Sequence, residues 1–156
     1  MIVRDATPAD AVAACEVLHA SIAELCAADH RGDPVVLARW LANKTPENLQ
    51  AWATDPNASL LLVIENELVV AVGRVKDDGE ITLNYVSPRA RFRGASTALL
   101  NAMEARAKAR GSMSCRLVST ETAHQFYRAR GYADIGMPES VFGTSACYLM
   151  SKKIQV

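Results

Sequence analysis

The turn from Arg91 to Ser96, with the sequence RFRGAS, holds the residues whose types and spacing best suit chemistry. It follows an apolar, β-branched stretch at 81–86 and precedes a segment at 95–110 in which apolar residues recur at helical spacing. The first N–H groups of a helix lack intrahelical partners and carry partial positive charge, so they can donate hydrogen bonds to an anion. Gly94 removes a side chain where a phosphate must come close. The turn is therefore predicted to bind a phosphate, with a purely structural strand, turn and helix as the alternative.

The charge of the chain argues against several classes of partner. Its 156 residues include 17 basic and 17 acidic side chains, which gives a formal net charge of zero. Such a balance argues against general binding to nucleic acid or to an anionic membrane. Basic residues are concentrated locally instead, because 89–110 contains five arginines and one lysine, with Glu104 as its single acid. This cluster suits an anionic ligand, and a solvated helix face explains Arg106, Lys108 and Arg110 equally well.

Length and composition predict one compact domain over residues 1–156, since half of the residues are apolar. The first residues contain no apolar stretch of signal-peptide length, and no run approaches the roughly 20 apolar residues that span a bilayer. We therefore predict a cytoplasmic protein with no membrane partner. The cysteines are far apart and form no Cys-x-x-Cys pair, so neither a disulfide framework nor a metal site is indicated. They are Cys15, Cys26, Cys115 and Cys147.

The order of the predicted elements indicates an α+β fold. A first strand at 2–4 is followed by a helix that runs to about residue 28 and by two short helices that begin at Pro34 and Pro46. Three strands with short links then form an antiparallel meander over 59–86. The elements predicted after the central helix are a strand at 114–119, a helix at 122–130, and strands at 132–136 and 146–152. We expect a mixed, mostly antiparallel sheet flanked by helices.

The turn resembles a motif of a known family. Arg91-x-x-Gly94-x-Ser96, preceded by Val86-x-Pro88, is similar to the pyrophosphate loop of the GNAT (GCN5-related) N-acetyltransferases, whose pattern is Gln/Arg-x-x-Gly-x-Gly/Ala. Ser96 departs from the final Gly or Ala of that pattern. The substitution is expected to crowd the pyrophosphate slightly or to add a hydrogen bond to it.

A second motif lies at the expected distance downstream. Ala123-x-x-Phe126-Tyr127-x-x-x-Gly131-Tyr132 resembles the family's Asn-x-x-Ala-x-x-Leu-Tyr-x-x-x-Gly-Phe segment, with Thr120 where Asn is usual. Two motifs in order, separated by a predicted strand, are more specific than either one. Only 85–132 carries these signatures, whereas the N-terminal helices match the family in order alone.

The resemblance implies a GNAT-like fold and acetyl-CoA as cosubstrate. It also implies that the strands at 81–86 and 114–119 splay apart at their ends, so that the pantetheine arm of CoA enters between them. A backbone N–H near residue 85 or 86 would stabilise the thioester oxygen. The residues expected to bind the cosubstrate are Tyr85, Val86, Arg91, Phe92, Arg93, Gly94, Ala95, Ser96, Thr120, Ala123 and Phe126.

Two residues are assigned to catalysis on the same basis. Tyr127 occupies the place of the family's general acid, and a phenol is protonated at neutral pH; a packing aromatic is the alternative for it. Asn84 stands on the strand where the family often has a glutamate base. An amide is not a base, so the amine is expected to lose its proton to water, through a chain held by Asn84, or to arrive partly neutral. Glu80 is expected to be solvated, and His30 is the better protein candidate, with a surface role favoured for it.

Together these features predict an N-acetyltransferase that moves acetyl from acetyl-CoA to a primary amine by direct attack in a ternary complex. A non-catalytic CoA-binding sensor or partner module is the main alternative, and a plain interaction domain is the third. The acceptor, a small-molecule amine or a peptide, would be shaped by the least patterned segments, at 28–33 and 137–145. A homodimer is compatible with the sequence.

Overall fold

The computed structural model describes residues 1–141 and 143–155. Four antiparallel strands form the first sheet in chain order, so the meander predicted for 59–86 is confirmed. Short turns join its last three strands, which keeps neighbours in sequence next to each other in space. The strands are β1 (Ile2–Asp5), β2 (Ala58–Glu65), β3 (Leu68–Lys76) and β4 (Ile81–Val86).

A second sheet is built around the last long strand. Its members are β5 (Ser114–Ser119), β6 (Ala133–Asp134), β7 (Glu139–Ser140) and β8 (Ala146–Lys153), and β8 pairs antiparallel with the other three. The strand at 132–136 is shorter than predicted, and β7 was not predicted because two paired residues leave no periodic pattern. The mixed α+β class is confirmed.

The two sheets meet where β4 and β5 begin. Glu80 and Arg116 form a parallel bridge there, and the Arg116 N–H donates to the Gly79 carbonyl at 3.1 Å. Farther along, β4 pairs with β3 and β5 pairs with β8, so the two strands leave a gap between them. This is the splay that the family resemblance implied.

Helices cover both faces of the first sheet. Helix α5 (Ala95–Ala109) packs on one face through the fully buried Leu99, Leu100 and Met103. Gly73 of β3 permits this approach, because a Cβ there would lie 2.8 Å from the Met103 sulfur. The opposite face is covered by α1 (Ala11–Ala20), α3 (Pro34–Leu41) and α4 (Pro46–Ala53). The last helix, α6 (His124–Ala129), is shorter than predicted and follows β5.

The first helix differs from its prediction. It ends at Ala20 and continues as a π-helical segment, Ser21–Leu25, before the short α2 (Ala27–His30). The His30 ring lies beside the π-helical segment, with Nε2 3.1 Å from the Ile22 carbonyl oxygen. Its Nδ1 accepts from the Gly32 N–H at 3.0 Å, so Nε2 carries the proton and donates. Helical structure therefore continues to His30, and the chain turns at Arg31, whose φ is 56°. None of the helices in the described residues is long and apolar enough to cross a membrane.

Candidate active site

The turn from Arg91 to Ser96, the phosphate turn, has a backbone that leaves open space for an anion. Phe92 and Gly94 both have positive φ, 66° and 85°, and α5 begins directly after them. A Cβ on Gly94 would meet no atom within 4 Å, so the glycine faces open space. Because α5 is 15 residues long, the N–H groups of its first turn lie at the positive end of a substantial dipole. The arrangement fits a pyrophosphate held by backbone donors.

The arginines of the turn have different surroundings. Arg91 lines the cavity, and its guanidinium lies 4.5 Å above the ring of Phe92, which is 90% exposed. Arg93 pairs instead with Glu65 at the end of β2, at 2.6 Å. Arg130 adds a cation that was not predicted from the sequence; it lines the same cavity and donates to the Thr97 hydroxyl at 2.8 Å. Its stacking on Phe126, four residues earlier, is the helical spacing that could have revealed it.

One cavity of about 590 Å³ joins the turn to the gap between β4 and β5. A smaller cavity of about 60 Å³ lies in the gap itself. The larger volume is within the usual range of small-molecule sites. Its wall also includes Ser21, Leu25 and Cys26 from the π-helical segment and its end, which the sequence did not indicate. The expected residues that line it are Asn84, Tyr85, Val86, Arg91, Phe92, Gly94, Ala95, Ser96, Thr120, Ala123, Phe126 and Tyr127.

Tyr127 is held at the junction of the two cavities. It is 7% exposed, packs against Phe126 and Tyr132, and accepts a hydrogen bond from Asn84 Nδ2 at 3.1 Å. Burial raises the pKa of the Tyr127 phenol to about 12, and the bond from Asn84 opposes that rise. Because Asn84 donates to the phenol oxygen, the phenol proton remains available to donate elsewhere. Asn84 Oδ1 is buried and has no hydrogen-bond partner among the described residues.

The end of β4 presents its backbone to the gap. The Ser87 N–H donates to Val70 of β3 at 2.7 Å. N–H groups of alternate residues point to the same side of a strand, so the Tyr85 N–H also faces β3 and the Val86 N–H faces the gap. Of the two backbone donors expected near the thioester, the geometry therefore favours Val86. The Tyr85 side chain lies on the face of the first sheet that α1, α3 and α4 cover. Its hydroxyl accepts from Trp40 Nε1 at 3.2 Å, and burial raises the pKa of the phenol.

The protein bases considered from sequence are placed away from the cavity. Glu80 lies where the sheets join, 3.7 Å from Lys76 and 4.0 Å from Arg116. The surface role favoured for His30 is wrong, because its side chain is 3% exposed and both ring nitrogens are in hydrogen bonds. The other two histidines also have close partners, since His19 lies 2.6 Å from the Lys44 carbonyl and His124 pairs with Asp134 at 2.7 Å. Asp29 is a buried acid beside the cavity, within the segment at 28–33 that was expected to shape the acceptor site.

Comparisons with known proteins agree with this geometry. A family model described as "Acetyltransferase (GNAT) domain" matches residues 26–154. No curated protein matches the chain. Among solved structures, a GCN5-related N-acetyltransferase from Rhodopseudomonas palustris is 25% identical over 97% of this chain and 94% of its own, with a TM-score of 0.85.

Two further structures share the fold at lower identity. The PaiA N-acetyltransferase from Thermoplasma acidophilum, solved with coenzyme A, is 18% identical over 97% of this chain and 98% of its own, with a TM-score of 0.82. The aminoglycoside 6'-N-acetyltransferase from Enterococcus faecium is 14% identical over 100% and 98%, with a TM-score of 0.75. The family resemblance and the expected cosubstrate, acetyl-CoA, are thereby confirmed. The chain belongs to the GNAT acetyltransferases.

Proposed function

We propose that this protein transfers acetyl from acetyl-CoA to the nitrogen of a primary amine, by direct attack while both substrates are bound. The observation behind the proposal is the Tyr127 phenol, which Asn84 holds in the cavity that also contains the Gly94 turn. Binding and proton donation are thus supported by groups that line one continuous space. A domain that only binds CoA would not need an oriented, protonated phenol beside the gap.

Different residues around the cavity bind CoA, stabilise the thioester oxygen, donate the proton and contact the acceptor. Gly94, the first turn of α5 and Arg91 hold the pyrophosphate, and the gap between β4 and β5 takes the pantetheine arm. The thioester supplies the acetyl group, and the Val86 N–H donates to its carbonyl oxygen as negative charge develops there. Tyr127 donates its proton to the departing sulfur. The wall formed by Ser21, Leu25 and Cys26 lies on the far side of β4 from α5 and would contact the acceptor.

Arg91 provides a test of the phosphate assignment. Arg91→Ala should weaken CoA binding by about 1.5–3 kcal/mol, the usual value of a hydrogen bond to a charged group. Isothermal titration calorimetry with CoA measures it. Arg89→Ala and Arg93→Ala are the matched controls, because Arg89 lies outside the turn and Arg93 pairs with Glu65. Equal losses in all three variants would indicate a general effect of charge rather than a contact from Arg91.

The function itself is tested by turnover. Purified protein with acetyl-CoA and a panel of primary amines, including benzylamine, an aminoglycoside and a peptide with a free N-terminus, should release CoA and form the amide. Mass spectrometry identifies the acetylated nitrogen. CoA binding without turnover across the panel would favour the non-catalytic module, and failure to bind CoA would reject both.

A further inference from the structure

Asp29 is a buried carboxylate beside the cavity. Its side chain is 1% exposed, on the short helix α2. One oxygen, Oδ1, accepts from the backbone N–H of Thr122 at 3.1 Å, and Oδ2 accepts from the Thr122 hydroxyl at 2.5 Å. The two residues are 93 positions apart in the chain. A pair of donors from one residue therefore fixes both carboxylate oxygens of Asp29.

Among the described residues, two hydrogen bonds from Thr122 and no ion pair compensate the charge of Asp29. The neighbouring basic side chains are directed elsewhere, since His30 Nε2 lies at the Ile22 carbonyl and Arg31 donates to the Gly143 carbonyl at 2.7 Å. Burying a carboxylate without a cation is costly. An asparagine could hold the same turn with one accepting oxygen and one donating nitrogen at a lower desolvation cost. A purely structural role thus gives no reason for the negative charge.

The Asp29 carboxylate acts electrostatically on groups that line the larger cavity. Burial and, after it, the Asp29 carboxylate raise the pKa of the Cys26 thiol to about 12. The same carboxylate adds to the effect of burial on the pKa of the Tyr85 phenol. Cys26 and Tyr85 both line the larger cavity. A proton leaving a substrate in that space would be drawn toward Asp29.

Thr122 connects Asp29 with the larger cavity. It is exposed, and it lines the cavity together with Asn84, Tyr85 and Tyr127. Its hydroxyl proton is directed to Asp29 Oδ2, so a lone pair of Oγ1 is available to an N–H donor. A hydroxyl with this geometry can accept one proton as it gives up another.

We propose that Thr122 and Asp29 form the proton path from the acceptor amine, an inference that rests on the acetyl transfer proposed above. As the amine lone pair forms the C–N bond and the C–S bond breaks, the proton on nitrogen moves to Thr122 Oγ1. The hydroxyl proton of Thr122 moves to Asp29 Oδ2, and the sulfur takes the proton of Tyr127. After product release Asp29 returns its proton to water and Tyr127 regains one, so the cycle is balanced. Thr122 touches the substrate, and Asp29 acts through it.

The test compares acceptors of different basicity in Thr122→Val, Asp29→Asn and Thr122→Ser. The probes are the primary amine that turns over best in the panel, such as benzylamine, and its weakly basic aminooxy analogue, such as O-benzylhydroxylamine. A basic amine holds its proton tightly and needs the path, whereas a weakly basic one releases its proton to water. In Thr122→Val and Asp29→Asn, kcat/KM for the amine should fall about 10²-fold or more. For the weakly basic analogue it should fall by less than about tenfold. Thr122→Ser retains the hydroxyl and should stay close to wild type for both.

Calorimetry with CoA separates this effect from a folding defect. Unchanged CoA affinity is expected in all three variants, because the path lies outside the phosphate turn. Thr122 is exposed, so Thr122→Val decides alone if Asp29→Asn does not fold. Equal losses for both acceptors, or no loss for the amine, would overturn the proton path and leave the acetyltransferase proposal standing. Absence of wild-type turnover with every amine would overturn both.

Discussion

Replacing Gly94 with valine should abolish CoA binding while the domain remains folded. The glycine has a φ of 85° and faces the cavity, with no atom within 4 Å of the position a Cβ would take. A valine side chain would therefore project into the space required by the pyrophosphate. It would also oppose the left-handed backbone conformation, at a cost of about 1–3 kcal/mol. Calorimetry with CoA should show no measurable heat, and far-UV circular dichroism should remain as in wild type.

Gly111→Val is the matched control for this experiment. Gly111 follows the other end of α5, has a φ of 94°, and likewise has no atom within 4 Å of its Cβ position. The two substitutions thus introduce the same side chain and a similar backbone strain at opposite ends of one helix. Gly111→Val should lose a similar amount of stability in urea and keep wild-type CoA affinity. If Gly94→Val bound CoA as wild type does, the pyrophosphate would lie elsewhere.

The features predicted correctly from the sequence are those that depend on residues close together in the chain. The turn from Arg91 to Ser96, the helix after it and the antiparallel meander each depend on local spacing, and each is present. The two motifs also located Tyr127 on α6 at the cavity. Periodicity and turn residues are properties of a short window, so one sequence is enough to identify them.

Contacts between segments that are distant in the chain could not be predicted from local sequence patterns. Arg93 was expected to bind the cosubstrate, but its ion pair with Glu65 depends on how the β2–β3 turn folds over the helix start. Asp29 and Thr122 are both ordinary turn or helix-end residues in sequence, and only the tertiary fold brings them together. The π-helical segment was not predicted either, because such segments are rare and only about one turn long, too short for a periodic pattern of their own. The side of the cavity proposed to receive the acceptor was therefore the part least predictable from sequence.

Tyr127→Phe should lower kcat by about 10²–10⁴-fold and leave CoA affinity nearly unchanged, because the phenol proton is required only as charge develops on the sulfur. The ring contacts with Phe126 and Tyr132 are retained in phenylalanine, so the loss is confined to the hydroxyl. Steady-state kinetics with saturating acetyl-CoA measures the change. The bond from Asn84 is lost at the same time, and its contribution is measured separately in Asn84→Ala.

The pH dependence and a neighbouring tyrosine distinguish proton donation from packing. Since burial raises the pKa of Tyr127 to about 12, the phenol stays protonated and competent as pH rises, and its deprotonation would reduce the rate only as pH approaches that value. Below about pH 10 the wild-type profile should thus show no alkaline fall due to this residue. Tyr132→Phe is the matched control, because the Tyr132 hydroxyl donates to Glu104 at 2.8 Å in the core. It should cost stability and leave kcat near wild type. Equal turnover in wild type and Tyr127→Phe, or an equal loss in the two phenylalanine variants, would reduce Tyr127 to a packing residue and require another acid for the thiolate.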